Sequence, residues 1–124
     1  MREKARDKGR LEDIVFHAGN IKTMMEGVSF EQFEKDMLVY YAVMKNVEIV
    51  GEAAYMLTND FKAAHQAIPW KEVQGMRHYL VHGYANVDKH ELYETAKNDI
   101  PVLCQQVSKY LAETNWKEWE SSND

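Results

Sequence analysis

One cysteine, two prolines and six glycines are all that this chain of 124 residues has of those three types. The lone cysteine, Cys104, excludes an intrachain disulfide and any zinc site built on several thiolates. So little proline and glycine argues against a loop-rich or all-β fold. Long apolar runs are missing as well. The longest, Met37 to Met44, is eight residues, far short of a membrane span. Positive charge is not in excess either: Lys and Arg number 15 against 20 Asp and Glu, a formal net charge of −5. That excludes nucleic-acid binding through the charge of the whole surface and leaves only a local contact. Met1 to Arg10 is charged and no apolar stretch follows it, so a secretory signal is not expected. The chain reads as a single cytoplasmic domain over 1–124.

What is present is helical periodicity. Leu11, Ile14, Ala18, Ile21 and Met25 draw one apolar stripe, ended by Gly27. Ser29 with Gln32 forms a capping box that opens a second helix. Its spacing runs through Phe30, Phe33, Met37, Tyr40, Met44, Val47, Gly51 and Ala54, with Val43, Val50 and Leu57 as a second face. One helix of roughly 42 Å over 30–57 is therefore expected, packing inside its own bundle and against another chain. A short helix over Phe61–Ala67 comes next. Another has Pro69 in its first turn, continues through Trp70, Val73, Met76 and Leu80, and stops at Gly83. Asp88 with Glu91 caps the last helix, which carries Leu92, Ala96, Ile100, Leu103, Val107 and Leu111. Pro101 lies inside it, so a kink is expected there, or a break recapped by Asp99. The tail from Ser121 to Asp124 is expected to fray. The fold class is all-α: an antiparallel up-down bundle of four main helices plus a short one, the last helix kinked.

The segment rich in chemistry is Gly75-Met76-Arg77-His78-Tyr79-Leu80-Val81-His82-Gly83-Tyr84. Arginine offers a planar fork of donors and a permanent charge suited to phosphate. Histidine moves protons near neutral pH. Together they are a minimal set for cleaving RNA without a metal: His82 takes a proton from a ribose 2′-hydroxyl and Arg77 stabilises charge on the phosphate. Five residues on an ideal helix place two side chains about 140° apart. Arg77 and His82 therefore converge only if the helix ends or distorts before His82. The structural alternatives are a surface salt bridge for Arg77 and a helix cap for His82.

Arg77-x4-His82-x-Tyr84 resembles the signature of the HepT toxins, a branch of the HEPN ribonuclease superfamily. Glu48 to Ala54 is similar to that family's central helix, and Ile68 to Glu72 to the entry of its catalytic helix. Val87-Asp88 and the kinked Asp99-Ile100-Pro101-Val102-Leu103 also fit, as does Arg10-Leu11 with Ile14 at the start. The likeness covers about residues 10–111. It implies a HEPN-type bundle that forms a homodimer with the Arg/His motifs of two chains in one cleft. It also implies a metal-independent endoribonuclease that needs no cofactor and cleaves tRNA or mRNA. Such a chain is the toxin of a type VII toxin–antitoxin pair, and its partner is an MntA-like nucleotidyltransferase antitoxin. By position, Arg77 and His82 are then catalytic. Tyr84 accepts AMP from the antitoxin (AMPylation), which silences the toxin. A contrasting reading is a catalytically silent HEPN chain, a binding partner or scaffold for a nucleotidyltransferase.

Other residues stay open between two roles. His78 stands where the family has Asn. It is a polar neighbour of the phosphate pocket or, four residues before His82, half of a metal pair with His65 or His90 as further candidates. Glu48 and Glu52 share one helix face, so either one orients Arg77 or His82 or both are a solvated pair beside the core. Tyr84 is an accessible phenol or packs over the helix end. In residues 1–10 Arg2, Lys4, Arg6, Lys8 and Arg10 outnumber Glu3 and Asp7, forming a solvated end or a phosphate-binding arm. Met24, Met25, Met37, Met44, Met56 and Met76 read as core filler. Trp116 and Trp119 cap either the bundle or a dimer.

Overall fold

The structure, a computed structural model, describes residues 2–122. Four long helices form the bundle: α1 (Asp7–Met25), α3 (Met37–Tyr55), α5 (Trp70–His82) and α7 (Ile100–Glu113). Four single-turn helices join or end them: α2 (Phe30–Lys35), α4 (Asn59–Ala64), α6 (Lys89–Glu94) and α8 (Trp116–Ser121). No strand occurs among the described residues, and no helix is long and apolar enough to cross a membrane. The expected all-α HEPN-type bundle is what the chain forms.

α3 is the central element, packed on α1 along one side and on α5 along the other, while α7 lies on the far side of α1. Contacts run antiparallel. Asp7 meets Thr58 while His17 and Asn20 meet Asn46 further along, so α3 retraces α1. Lys97 reaches Met25 while Trp119 reaches Asp7, so α7 and α8 retrace α1 in turn. The stripe Leu11, Ile14, Ala18, Ile21 and Met25 is buried as its spacing predicts. Gly27 at φ +71° turns the chain out of α1.

Several expectations are corrected. The helix expected over 30–57 is two helices. The Ser29–Gln32 capping box is present, but the chain is extended at Asp36, whose carboxylate accepts from the N–H groups of Leu38 and Val39 and caps α3. Apolar spacing continues across the break because both pieces line the same core. Residues of both expected apolar faces are buried within the chain: Val43, Val47 and Val50 of α3, and Leu57 just after it. At the start of α3 the group Met37, Leu38 and Tyr41 stays outward, 66, 82 and 57% exposed, and at its end Tyr55 is 40% exposed. Met37 is therefore not core filler, whereas Met25 and Met44 are buried. The short fourth helix starts two residues early, because Thr58 caps it by accepting from Phe61 N–H.

Pro69 precedes α5 at its cap position and does not lie within its first turn. The last helix is not recapped by Asp99, which makes no side-chain cap bond. A π-helical turn, Thr95–Asp99, joins α6 to α7 and absorbs Pro101 in the first turn of α7. The tail is more ordered than expected: Ser121 belongs to α8, and Lys4 Nζ donates to Ser122 O and Oγ. Asn123 and Asp124 lie outside the described residues. The tryptophans cap this chain's own bundle. Trp116 and Trp119 both pack on buried Phe61, and Trp119 Nε1 donates to Asp7.

Candidate active site

The site begins with a missing side chain. A Cβ placed on Gly51 of α3 would lie 2.8 Å from Arg77 N and 2.9 Å from Arg77 Cβ. Only glycine lets α3 and α5 approach this closely, and the point of approach is Arg77 itself. The next residue of α3, Glu52, pairs with Arg77 Nε. Tyr55 follows, with the Arg77 guanidinium 5.0 Å from its ring centroid. Gly51, Glu52 and Tyr55 thus hold the half-buried arginine from one helix face. Glu52 takes the orienting position, whereas Glu48 turns to Lys45 at 3.2 Å on its own helix. The signal for Gly51 was in the sequence, a glycine inside an apolar helical stripe, but its partner was not.

His82 is the last residue of α5 and is exposed. The helix stays regular through it and ends only at Gly83, so the break that would bring Arg77 to His82 does not occur. The two lie about 140° apart around the helix and about 7.5 Å along it. His82 is instead beside His78, one turn back on the same face, with ring centroids 4.6 Å apart and planes inclined at 49°. The other histidines proposed as ligands lie elsewhere. His65 stacks on Phe61 at 3.9 Å, and His90 packs on Phe30 and faces Glu94. Among the described residues no three His, Cys, Asp or Glu side chains gather where an ion would bind.

Tyr84 opens the turn after α5. That turn is pinned at both ends by one residue that sequence reasoning passed over. Gly83 N–H donates to Tyr79 O at 2.8 Å, and Asp88 N–H donates to the Tyr79 hydroxyl at 2.8 Å. Asp88 in turn caps α6. The loop is therefore short and tethered, and it presents Tyr84 outward at 71% exposure, not packed over the helix end. Tyr84 lines a hollow of about 350 Å³ with Tyr40, Tyr41, Lys35 and Lys89. Burial, with the nearby Tyr41 and Tyr79, raises the Tyr40 phenol above its ordinary value. Tyr40 is thus a neutral wall of the hollow.

The arrangement offers a fixed cation, a pair of accessible imidazoles and an accessible phenol on one helix and its exit turn. A phosphodiester needs the first two. A group-transfer enzyme could reach the third.

The sequence profile described as ribonuclease HepT-like matches residues 15–110. A protein provisionally named an RNase from Caldanaerobacter subterraneus subsp. tengcongensis is 38% identical over 101 residues, covering 82% of this chain and 90% of that protein. One provisionally named ribonuclease HepT from Thermococcus cleftensis is 41% identical over 100 residues, covering 81% and 91%. Another provisionally named RNase, from Methanocaldococcus jannaschii, is 32% identical over 100 residues, covering 81% and 92%. No solved structure matches the chain.

Proposed function

The chain belongs to the HepT-like ribonuclease family, and from that membership we propose that it is a metal-independent endoribonuclease acting as a dimer, the toxin of a toxin–antitoxin pair. The observation that carries the dimer is the unbroken run of α5. One chain offers Arg77 and His82 on different faces, so a pocket holding both a phosphate-binding arginine and two proton-transferring histidines needs two copies of the motif. One His82 then removes the proton of the ribose 2′-hydroxyl as that oxygen attacks phosphorus. The His82 of the second copy gives a proton to the departing 5′-oxygen. Arg77, aimed by Glu52, neutralises the extra negative charge on the phosphate oxygens. The products are a 2′,3′-cyclic phosphate and a free 5′-hydroxyl. His78, against His82, is a polar neighbour that holds the imidazole.

Tyr84 is the proposed regulatory site. An MntA-like nucleotidyltransferase transfers AMP to its phenol oxygen, releasing pyrophosphate from ATP. Its 71% exposure on a tethered turn supports this reading, as do Lys35 and Lys89 in the adjoining hollow. The bulk and charge of AMP two residues from His82 then exclude an RNA phosphate.

Expression in a bacterial host tests the reading. Growth arrest by the wild type, lost with His82→Ala and with Arg77→Ala, is expected. Purified protein is expected to cleave RNA undiminished in a chelator. No toxicity and no cleavage at any pH would leave a silent binding partner instead. Co-expression with the nucleotidyltransferase is expected to add AMP mass to Tyr84 and to none of the Tyr84→Phe chain. Specific activity is expected to fall on dilution with the dimer fraction, and a fully active monomer overturns the shared site.

A further inference from the structure

The basic amino-terminal arm does not point away into solvent. Its Arg2 guanidinium lies 4.6 Å from the centroid of the Tyr55 ring, the same ring that carries Arg77 at 5.0 Å. The two guanidinium carbons are therefore no more than 9.6 Å apart, a spacing that neighbouring phosphates of one strand can bridge. Lys62 of α4 joins them. Its Nζ donates to Gln74 Oε1 at 2.7 Å and to Tyr55 O at 3.5 Å, which leaves one of its three N–H groups to spare. Burial, and after it the charge of Arg2, lowers the Lys62 pKa from its ordinary value.

Like charges gathered this way repel. Two carboxylates lie close and both are engaged: Glu52 is paired with Arg77, and Asp7, whose charge works against the lowering at Lys62, accepts from Thr58 and Trp119. The neighbouring Lys4 and Asp60 neutralise each other at 3.5 Å. A local cationic cluster thus stands on a chain whose net charge is −5, beside the arginine assigned to the scissile phosphate. An incoming polyanion relieves the repulsion and supplies acceptors for the unused donors.

We propose that Arg2 and Lys62, gathered with Arg77 around Tyr55, form a second phosphate subsite that grips the RNA strand next to the bond being cut. Tyr55 is a positioning residue that spaces the two guanidinium groups. This rests on the ribonuclease reading of the Arg77 site.

Binding of a short fluorescein-labelled single-stranded RNA, followed by anisotropy across a KCl titration in the His82→Ala chain, tests it. Adding Arg2→Ala is expected to weaken binding about tenfold at low salt. It should also reduce the slope of log affinity on log salt by about 0.7, the share of one phosphate contact on a single strand. Adding Lys62→Ala as well is expected to reduce it by about 1.4 in total. Arg2→Lys, which keeps the charge, is expected to keep most of the slope. Unchanged affinity and slope in Arg2→Ala overturns the subsite, including the case in which Arg2→Ala instead weakens binding to the nucleotidyltransferase. The two readings separate through the chain with His82 intact. If it cleaves this RNA while Arg2→Ala cleaves and binds as well as it does, only the subsite falls. If it neither binds nor cleaves RNA, the ribonuclease reading falls and takes the subsite with it.

Discussion

Asp7 and Glu52 are both carboxylates anchored to partners across helices, yet their surroundings are opposite. Asp7, at the start of α1, is 1% exposed and accepts from Thr58 N–H at 2.9 Å, the Thr58 hydroxyl at 2.6 Å and Trp119 Nε1 at 3.0 Å. Its partners come from the α3–α4 turn and from α8, so it ties three parts of the chain together and has nothing left for a ligand. Glu52, on the α3–α5 seam, holds Arg77 at Nε with both side chains partly exposed, at 47 and 33%. A charge closed on every side serves folding, while a charge held by one partner and left partly exposed is what the proposed role of Arg77 requires. The same division separates the two tryptophans, locked over Phe61, from Tyr84, presented on a tethered turn.

Substitutions can break this comparison at either end. The largest expected effect is on chemistry: Arg77→Ala is expected to lower RNA cleavage about 10²- to 10³-fold in single-turnover assays, with little change in the urea midpoint. An unstable Arg77→Ala chain would instead make the arginine a structural residue like Asp7. Asp7→Ala is expected to show the reverse pattern. It leaves the Thr58 and Trp119 donors buried without an acceptor and costs about 3 kcal/mol in urea unfolding. Cleavage per folded molecule, measured well below the midpoint, is expected to stay as in the wild type.

Gly51→Ala sits between the two regions. Its methyl group meets Arg77 backbone at 2.8 Å, so α3 and α5 must separate. A stability loss of about 1–3 kcal/mol is expected from overpacking, together with a loss of cleavage because Arg77 is displaced. Stability that falls while kcat does not would show that Arg77 tolerates the shift. The smallest effect on stability is expected for Glu52→Gln. A partly exposed pair contributes less than about 1 kcal/mol, so the melting temperature should barely move. Losing the aim of Arg77 is nevertheless expected to lower kcat roughly tenfold with KM little changed.

Much of the fold was legible because periodicity reports burial directly. The stripe from Leu11 to Met25 and the helix from Trp70 to His82, stopped by Gly83, stand where their spacing puts them. The break at Asp36 was harder to see. An aspartate in an apolar run reads as one exposed position of a continuing helix until its carboxylate is found on the N–H groups of Leu38 and Val39. The π turn before Pro101 escaped for a related reason: proline signals that the backbone must adjust but not how. In the site, residue chemistry singled out Arg77 and His82, and the family resemblance added Tyr84. Neither chose between Glu48 and Glu52 or detected Tyr79 as the anchor of the Tyr84 turn. Those choices depend on which neighbouring element lies within a few ångströms.

The sequence alone determined a helical chain, its apolar faces, the caps at Ser29 and Asp88 and an Arg-x4-His-x-Tyr motif at a helix end. Each of these follows from local spacing and residue chemistry. Tertiary structure decided that α5 covers the face of α3 that carries Gly51, that Gly51 brings Arg77 onto Glu52 and that Asp7 is closed off beneath Trp119. It also carried Arg2 from the far end of the chain to the ring beneath Arg77. Periodicity says which side of a helix avoids water. Only the packed bundle says which side chains from elsewhere in the chain come to cover it.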